Sequence, residues 1–169
     1  MSETIKIKIN KDLGTLLSEK HKIDPFTDYK PAYGGESVGL DLYYAGNTTL
    51  TLEGRYNKTD NRNDKVLIPT GVHIALPLGY VALVKDRGSI SKTNVVRRAG
   101  VVDPGYTGEI FVNLAVLNGE KCTINPGDKL PVQLVVVKAE TNYEVVSEEE
   151  YSQITDKAQR GAGRVGSSD

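Results

Sequence analysis

Five short segments gather the carboxylates, guanidiniums, hydroxyls and amides of this chain that could do chemistry. The first, Gly39-Leu40-Asp41-Leu42, sets one carboxylate among three apolar neighbours. Charged residues are seldom buried without a partner, so Asp41 is either a strand-end hydrogen bonder or a functional carboxylate. The second, Asp86-Arg87-Gly88-Ser89-Ile90-Ser91-Lys92, puts a guanidinium, flexible backbone N–H groups and hydroxyls within a few residues. That mix suits phosphate oxygens, and equally an ordinary polar turn. The third runs from Gly100 to Gly108, and its Pro104-Gly105 pair sets a tight turn that projects Asp103 and Tyr106 near one another. A carboxylate and a ring on one rigid hairpin make a base and a platform; the plainer reading is a β-turn whose Asp satisfies backbone N–H groups. The fourth, Pro126 to Leu134, contains Gln133, the lone amide of an apolar strand, which must find partners in the protein or in a ligand. The fifth is the tail Arg160 to Ser168, with spaced glycines, Arg160 and Arg164, and paired Ser167 and Ser168. It has the makings of a phosphate-cradling loop without being a Walker motif, and otherwise reads as a disordered terminus.

These segments need a scaffold, and the pattern between them is that of strands. Thr4–Ile9 alternates strictly, with Ile5, Ile7 and Ile9 on one face. Asn10 caps a short helix through Leu13, Leu16 and Leu17. Residues 23–35 are turn-rich. Nine short strands follow at 38–44, 48–52, 65–69, 72–76, 80–85, 95–102, 109–117, 121–124 and 129–137. Short strands separated by Gly and Pro turns predict an all-β sandwich, barrel or jelly roll. Residues 54–64, GRYNKTDNRND, read as an exposed loop and offer a contact surface for a protein partner. Ser147 and Glu150 have capping-box spacing at the head of a short helix over 147–154.

The whole chain narrows the chemistry. Its 169 residues fit one domain, and its net charge of −1 gives no footprint for nucleic acid or an anionic membrane. Cys122 is the only cysteine and the two histidines, His21 and His73, are far apart, so a metal here is expected to be a hard cation held by oxygens. Neither a signal peptide nor an apolar run of membrane-spanning length is evident, which predicts a soluble protein of the cytoplasm, or of the host cytoplasm if the chain is viral.

Taken in order and at their spacing, the five segments resemble the five motifs of the trimeric dUTP diphosphatase (dUTPase) family, from about Glu36 to Ser168, with Ile68 to Val72 and Ala75 to Tyr80 as linking features. The resemblance implies a jelly-roll-like distorted β-barrel over 1–159 and a flexible arm over 160–169 that closes a neighbouring subunit's site. It implies a homotrimer with shared active sites, Mg²⁺ as cofactor, and hydrolysis of dUTP to dUMP and pyrophosphate, which keeps uracil out of DNA and supplies dUMP for dTMP synthesis. Asp103 matches the family's catalytic Asp, the base for a water attacking the α-phosphorus. Asp41 matches the carboxylate that supports Mg²⁺ through water. Arg87, Gly88, Ser89 and Gln133 match its phosphate-binding positions, and Arg160 the arm's γ-phosphate contact. Tyr106 matches the ring beneath the deoxyribose, where it leaves no room for a 2′-hydroxyl. Arg97, Gly100, Val101, Val102 and Phe111 fall on the hairpin that reads uracil through its main chain, and Val165, Gly166, Ser167 and Ser168 in the arm that covers the nucleotide.

The chain departs from the family pattern at three places. Gly88 separates Arg87 from Ser89, where Ser ordinarily follows Arg directly. Val165 stands where the arm carries an aromatic residue, after Arg164 in place of Gly. Arg97 occupies a hairpin position that is often Asn. Two rival functions share the scaffold. A dCTP deaminase needs a Glu where this chain has Asn113, and an Arg and a Ser where it has Lys92 and Gly88. A regulatory binding protein, without catalysis or in addition to it, is the other.

Overall fold

The computed structural model describes residues 4–53, 56–57, 62–63, 66–117, 119–140 and 142–156. In chain order its strands are β1 (Lys6–Ile9), β2 (Leu40–Tyr43), β3 (Leu50–Glu53), β4 (Tyr56–Asn57), β5 (Arg62–Asn63), β6 (Val66–Pro69), β7 (Val72–Ala75), β8 (Tyr80–Asp86), β9 (Val95–Arg98), β10 (Val101–Val102), β11 (Phe111–Val116), β12 (Lys121–Ile124) and β13 (Lys129–Lys138). Two helices accompany them, α1 (Lys11–Leu16) and α2 (Glu148–Thr155). Every described strand pair is antiparallel. The largest sheet has the order β10-β8-β13-β2, and a second has β6-β11-β9.

Alternation explains both sheets. Along β11 the even residues Val112, Leu114 and Val116 are buried while Phe111, Asn113 and Ala115 face the other way. Along β13 Leu130, Val132 and Leu134 are buried between the half-buried Pro131 and Gln133. These inward residues join Leu40, Leu42, Ala82 and Val84 in one core, to which α1 adds Leu13 and the turn after it adds Leu17. Helix α1 starts where the sequence indicates, because the Asn10 side chain accepts from the Leu13 N–H at 2.9 Å. Ser147 likewise accepts from the Glu150 N–H at 3.2 Å at the head of α2.

Two expectations are corrected. The single strand expected over 95–102 is two strands in different sheets, β9 on β11 and β10 on β8. The break is at Ala99 (φ 60°) and Gly100 (φ 132°), whose left-handed backbone ends the ladder. The loop expected over 54–64 contains a small ladder, Tyr56 opposite Asn63 and Asn57 opposite Arg62. The N-terminal isoleucine face is only half covered: Ile5 and Ile9 pack on the core, and Ile7 is exposed. The boundary expected between domain and arm at 159/160 lies outside the described residues.

Candidate active site

Of the sequence-predicted residues that the structure describes, all but Arg97 fall into two cavities, toward opposite edges of the four-stranded sheet. The first, about 320 Å³, is lined by Asp41, Arg87, Gly88, Ser89, Lys129 and Gln133, together with residues of the 32–39 approach to β2. The second, about 330 Å³, is lined by Gly100, Val101, Val102, Asp103, Tyr106 and Phe111, with Leu67, Val84, Ala99 and Ile110 behind them. They share no lining residue.

The first cavity is built by register. On β13, Gln133 lies opposite Asp41 of β2, and Lys129 opposite Tyr43. Five residues of β13, 129–133, therefore span three of β2, 41–43, a bulge that gathers Lys129, Gln133 and Asp41 at one place. Asp41 sits between two cations: the Arg87 Nε forms an ion pair with Oδ1 at 2.8 Å and the Lys129 Nζ donates to Oδ2 at 2.8 Å. Gln133 is not sealed in the core; it is half-buried, and its Nε2 donates to the Asp86 carbonyl at 3.2 Å. Its carbonyl end occupies the space left by Gly39, where a Cβ would stand 1.9 Å from the Gln133 Oε1. Arg87 ends the extended run of β8 at φ −86°, and Gly88–Lys92 turn as a single short 3-10 helix that brings Ser89 into the same cavity. Behind β2 the Tyr29 hydroxyl donates to the Asp41 carbonyl at 2.7 Å. Burial pushes the Tyr29 phenol far up, with the neighbouring Tyr43 and Asp41 adding to it, so it stays a neutral donor.

The second cavity is a hairpin mouth with apolar walls. Gly100 permits it. A Cβ there would meet the Val84 carbonyl oxygen at 2.8 Å, and the Val84 N–H donates to the Gly100 carbonyl at 2.7 Å. The turn at Pro104-Gly105 is closed by the Tyr106 N–H donating to the Asp103 carbonyl at 3.0 Å. The Tyr106 ring folds back so that its hydroxyl donates to the Glu109 carbonyl at 2.6 Å, over Gly108, where a Cβ would crowd that hydroxyl. Val101, Tyr106 and Phe111 each leave substantial apolar surface open to solvent at this mouth. Asp103 is exposed, and among the described residues its carboxylate has no side-chain hydrogen bond or ion pair.

Arg97 lines neither cavity. Its Nε donates to the Asp86 Oδ1 at 2.9 Å and its Nη1 to the Ala99 carbonyl, so its side chain braces the hairpin against the end of β8. Arg160, Val165, Gly166, Ser167 and Ser168 lie outside the described residues. Lys129 was not among the residues singled out from the sequence, although the signal was there: it sits four positions before Gln133 in one strand and therefore faces the same way. Asn113, the residue that replaces a deaminase's Glu, is on β11 and lines neither cavity. An amide there supplies no acid or base.

Comparison with known proteins agrees with the geometry. A family model described as dUTPase matches residues 24–169. The deoxyuridine 5′-triphosphate nucleotidohydrolase of Bifidobacterium longum strain DJO10A is 35% identical over 131 residues, covering 75% of this chain and 81% of that protein. The enzyme of the same name from Rickettsia felis is 32% identical over 150 residues, covering 86% of this chain and 92% of its own. Among solved structures, a mutant dUTPase from phage phi11 of S. aureus, described for its coordination of a structural Mg(II) ion, superposes with a TM-score of 0.60 at 26% identity, covering 86% of this chain and 97% of that one. The matched span takes in both cavities and all five segments, and the chain belongs to the dUTPase family.

Proposed function

We propose that the protein hydrolyses dUTP to dUMP and pyrophosphate, with the first cavity holding the phosphates and the hairpin mouth holding the nucleoside. The observation that carries the mechanism is the exposed Asp103 carboxylate beside Tyr106, without a partner among the described residues. An unpaired carboxylate can accept the proton of a water as that water attacks the α-phosphorus; pyrophosphate leaves from the opposite side. Arg87 and the Ser89 hydroxyl bind phosphate oxygens, and the Gln133 amide adds a donor. Tyr106 packs beneath the deoxyribose and excludes a 2′-hydroxyl. The main chain of 96–103 reads uracil, rejecting cytosine by donor and acceptor mismatch. Arg160 to Ser168 complete the site as an arm, with Arg160 on the γ-phosphate.

Mg²⁺ fits this donor set as an ion carried on the nucleotide. The described residues hold no group of three or more His, Cys, Asp or Glu able to cage a metal, and each Asp41 oxygen already faces a cation. Each carboxylate oxygen keeps a second lone pair, so Asp41 can still accept from a metal-bound water. Bound there, the ion would neutralise phosphate charge.

The separation of the cavities supports a shared site. The hairpin mouth has no cation in its lining for a triphosphate, so the phosphate cavity of another copy completes it. A homotrimer with three such sites is the assembly proposed, and sedimentation should return about three times the 18.4 kDa chain mass. An active monomer would refute it. The reaction is tested by turnover with dUTP, dCTP and UTP, reading pyrophosphate and ammonia separately. Pyrophosphate from dUTP alone is expected. Ammonia from dCTP would establish the deaminase instead, and no product from any of the three a purely regulatory protein.

A further inference from the structure

We propose that Lys129 is a positioning residue of the phosphate cavity, the counter-ion that occupies Asp41 so that Arg87 keeps its charge for the nucleotide. This deepens the reading above and rests on it. Three charged side chains line the cavity: Arg87, Lys129 and Asp41. Two cations and one carboxylate leave one net positive charge to receive a polyanion. Remove Lys129 and the remaining pair, Arg87 Nε on Asp41 Oδ1 at 2.8 Å, is neutral. Arg87 would then meet its phosphate with its charge already balanced by Asp41.

Lys129 is built for this role. Its ammonium is pinned from two sides, by Asp41 Oδ2 at 2.8 Å and by the face of the Tyr43 ring, 5.5 Å to the centroid. The bulge between Lys129 and Gln133 fixes the first of these contacts. Partial burial works against the charged form, but the hydrogen bond to Asp41 and the neighbouring Tyr43 and Asp41 outweigh it, so Lys129 titrates above the usual lysine range. It is therefore a permanent cation at any pH where the protein works.

The proposal separates from a merely structural ion pair by its dependence on Asp41. The test is binding of a non-hydrolysable dUTP analogue, imido-bridged between the α- and β-phosphorus, to the full-length protein in EDTA, so that no metal enters. Lys129→Met should weaken binding about tenfold, the effect of one charge at close range in a half-solvated cavity. Lys129→Arg should bind within about threefold of wild type. Asp41→Asn added to Lys129→Met should recover most of the loss, because Arg87 is then released. A Lys129→Met variant that binds like wild type overturns the proposal, and so does a double variant no better than Lys129→Met alone. If the functional reading itself is wrong, wild-type protein will bind the uridine analogue no better than its cytidine counterpart, a failure seen before any variant is made.

Discussion

The two cavities hold one key carboxylate each, and the two are treated oppositely. Asp41 pairs with a guanidinium on one oxygen and an ammonium on the other. Asp103 stands exposed on its turn without a described partner. A carboxylate held between two cations fixes the position of both. A carboxylate left alone on a rigid hairpin can take a proton from water. The walls differ in the same sense. The phosphate cavity is lined mainly by polar and charged groups, and the hairpin mouth by Val101, Tyr106, Phe111 and their aliphatic neighbours. In the function proposed above, charge recognition and shape recognition therefore fall to opposite edges of one sheet.

The sharpest way to break this contrast is at Asp103. Asp103→Asn should lower kcat by about 10²–10⁴-fold, the usual contribution of a general base, while analogue affinity stays near wild type. Turnover of dUTP at the wild-type rate would remove Asp103 from the chemistry and leave the hairpin as a binding surface only. Tyr106 comes next. Removing the ring in Tyr106→Ala should cut the preference for dUTP over UTP, measured as the ratio of kcat/KM values, by about 10–100-fold. An unchanged ratio would mean that the sugar lies elsewhere.

Two glycines sharpen the contrast further, since each makes room for a different kind of atom. At Gly39 the intruded atom is the Gln133 Oε1, the far end of a flexible side chain. In Gly39→Ala the amide should swing aside with little change in Tm and a KM raised about fivefold, the worth of one hydrogen bond of ~1 kcal/mol. At Gly100 the intruded atom is the Val84 carbonyl oxygen, and φ is 132°. Backbone cannot step aside, so Gly100→Ala should cost about 1–3 kcal/mol of stability, read by urea denaturation. Equal Tm values for the two variants would show that the hairpin is as adaptable as the phosphate cavity.

Much of this was legible in the sequence. Alternation located most strands because one face of each is buried, as in β11, and the caps at Asn10 and Ser147 were readable from residue type alone. The division of 95–102 was not, since Ala99 gives no sign of its left-handed conformation and Gly100 alone does not say which sheet follows. Asp41, Arg87, Ser89 and Gln133 were found as separate segments. That they share a cavity depends on the pairing of β2, β8 and β13, which spacing along the chain does not encode. Lys129 escaped for the same reason: its partner is 88 residues away. Arg97 is placed at the uracil site by resemblance alone, and its ion pair with Asp86 at the end of β8 is a contact that spacing along the chain does not show.

The smallest expected effect concerns how the phosphate side is held from behind. The segment after α1 docks on the turn that leads into β13: the Lys20 Nζ donates to the Asp128 Oδ1 at 2.7 Å and to the Pro126 carbonyl at 3.0 Å, and the His21 Nε2 lies 2.6 Å from the Gly127 carbonyl. Asp128 also accepts from the Asn125 N–H at 2.8 Å. Burial works to raise the Asp128 pKa, but the bonds to Lys20 and Asn125 and the Lys20 charge together bring it below the ordinary carboxylate value. A carboxyl whose folded pKa is lowered contributes its stability above the unfolded value and loses it as pH falls through the folded one. Both side chains are more than a third exposed, so solvent screening limits the pair to about 0.5 kcal/mol. Asp128→Asn should therefore lower stability slightly at neutral pH, and the gap to wild type should close as the medium is acidified below the carboxylate range. A gap that persists unchanged in acid would show that Asp128 acts through its shape and the Asn125 turn, with no ionic share. Because the hairpin mouth has no part in this docking, the same variant should leave kcat untouched while KM drifts upward. A change in kcat would tie the two cavities together more closely than their separate linings imply.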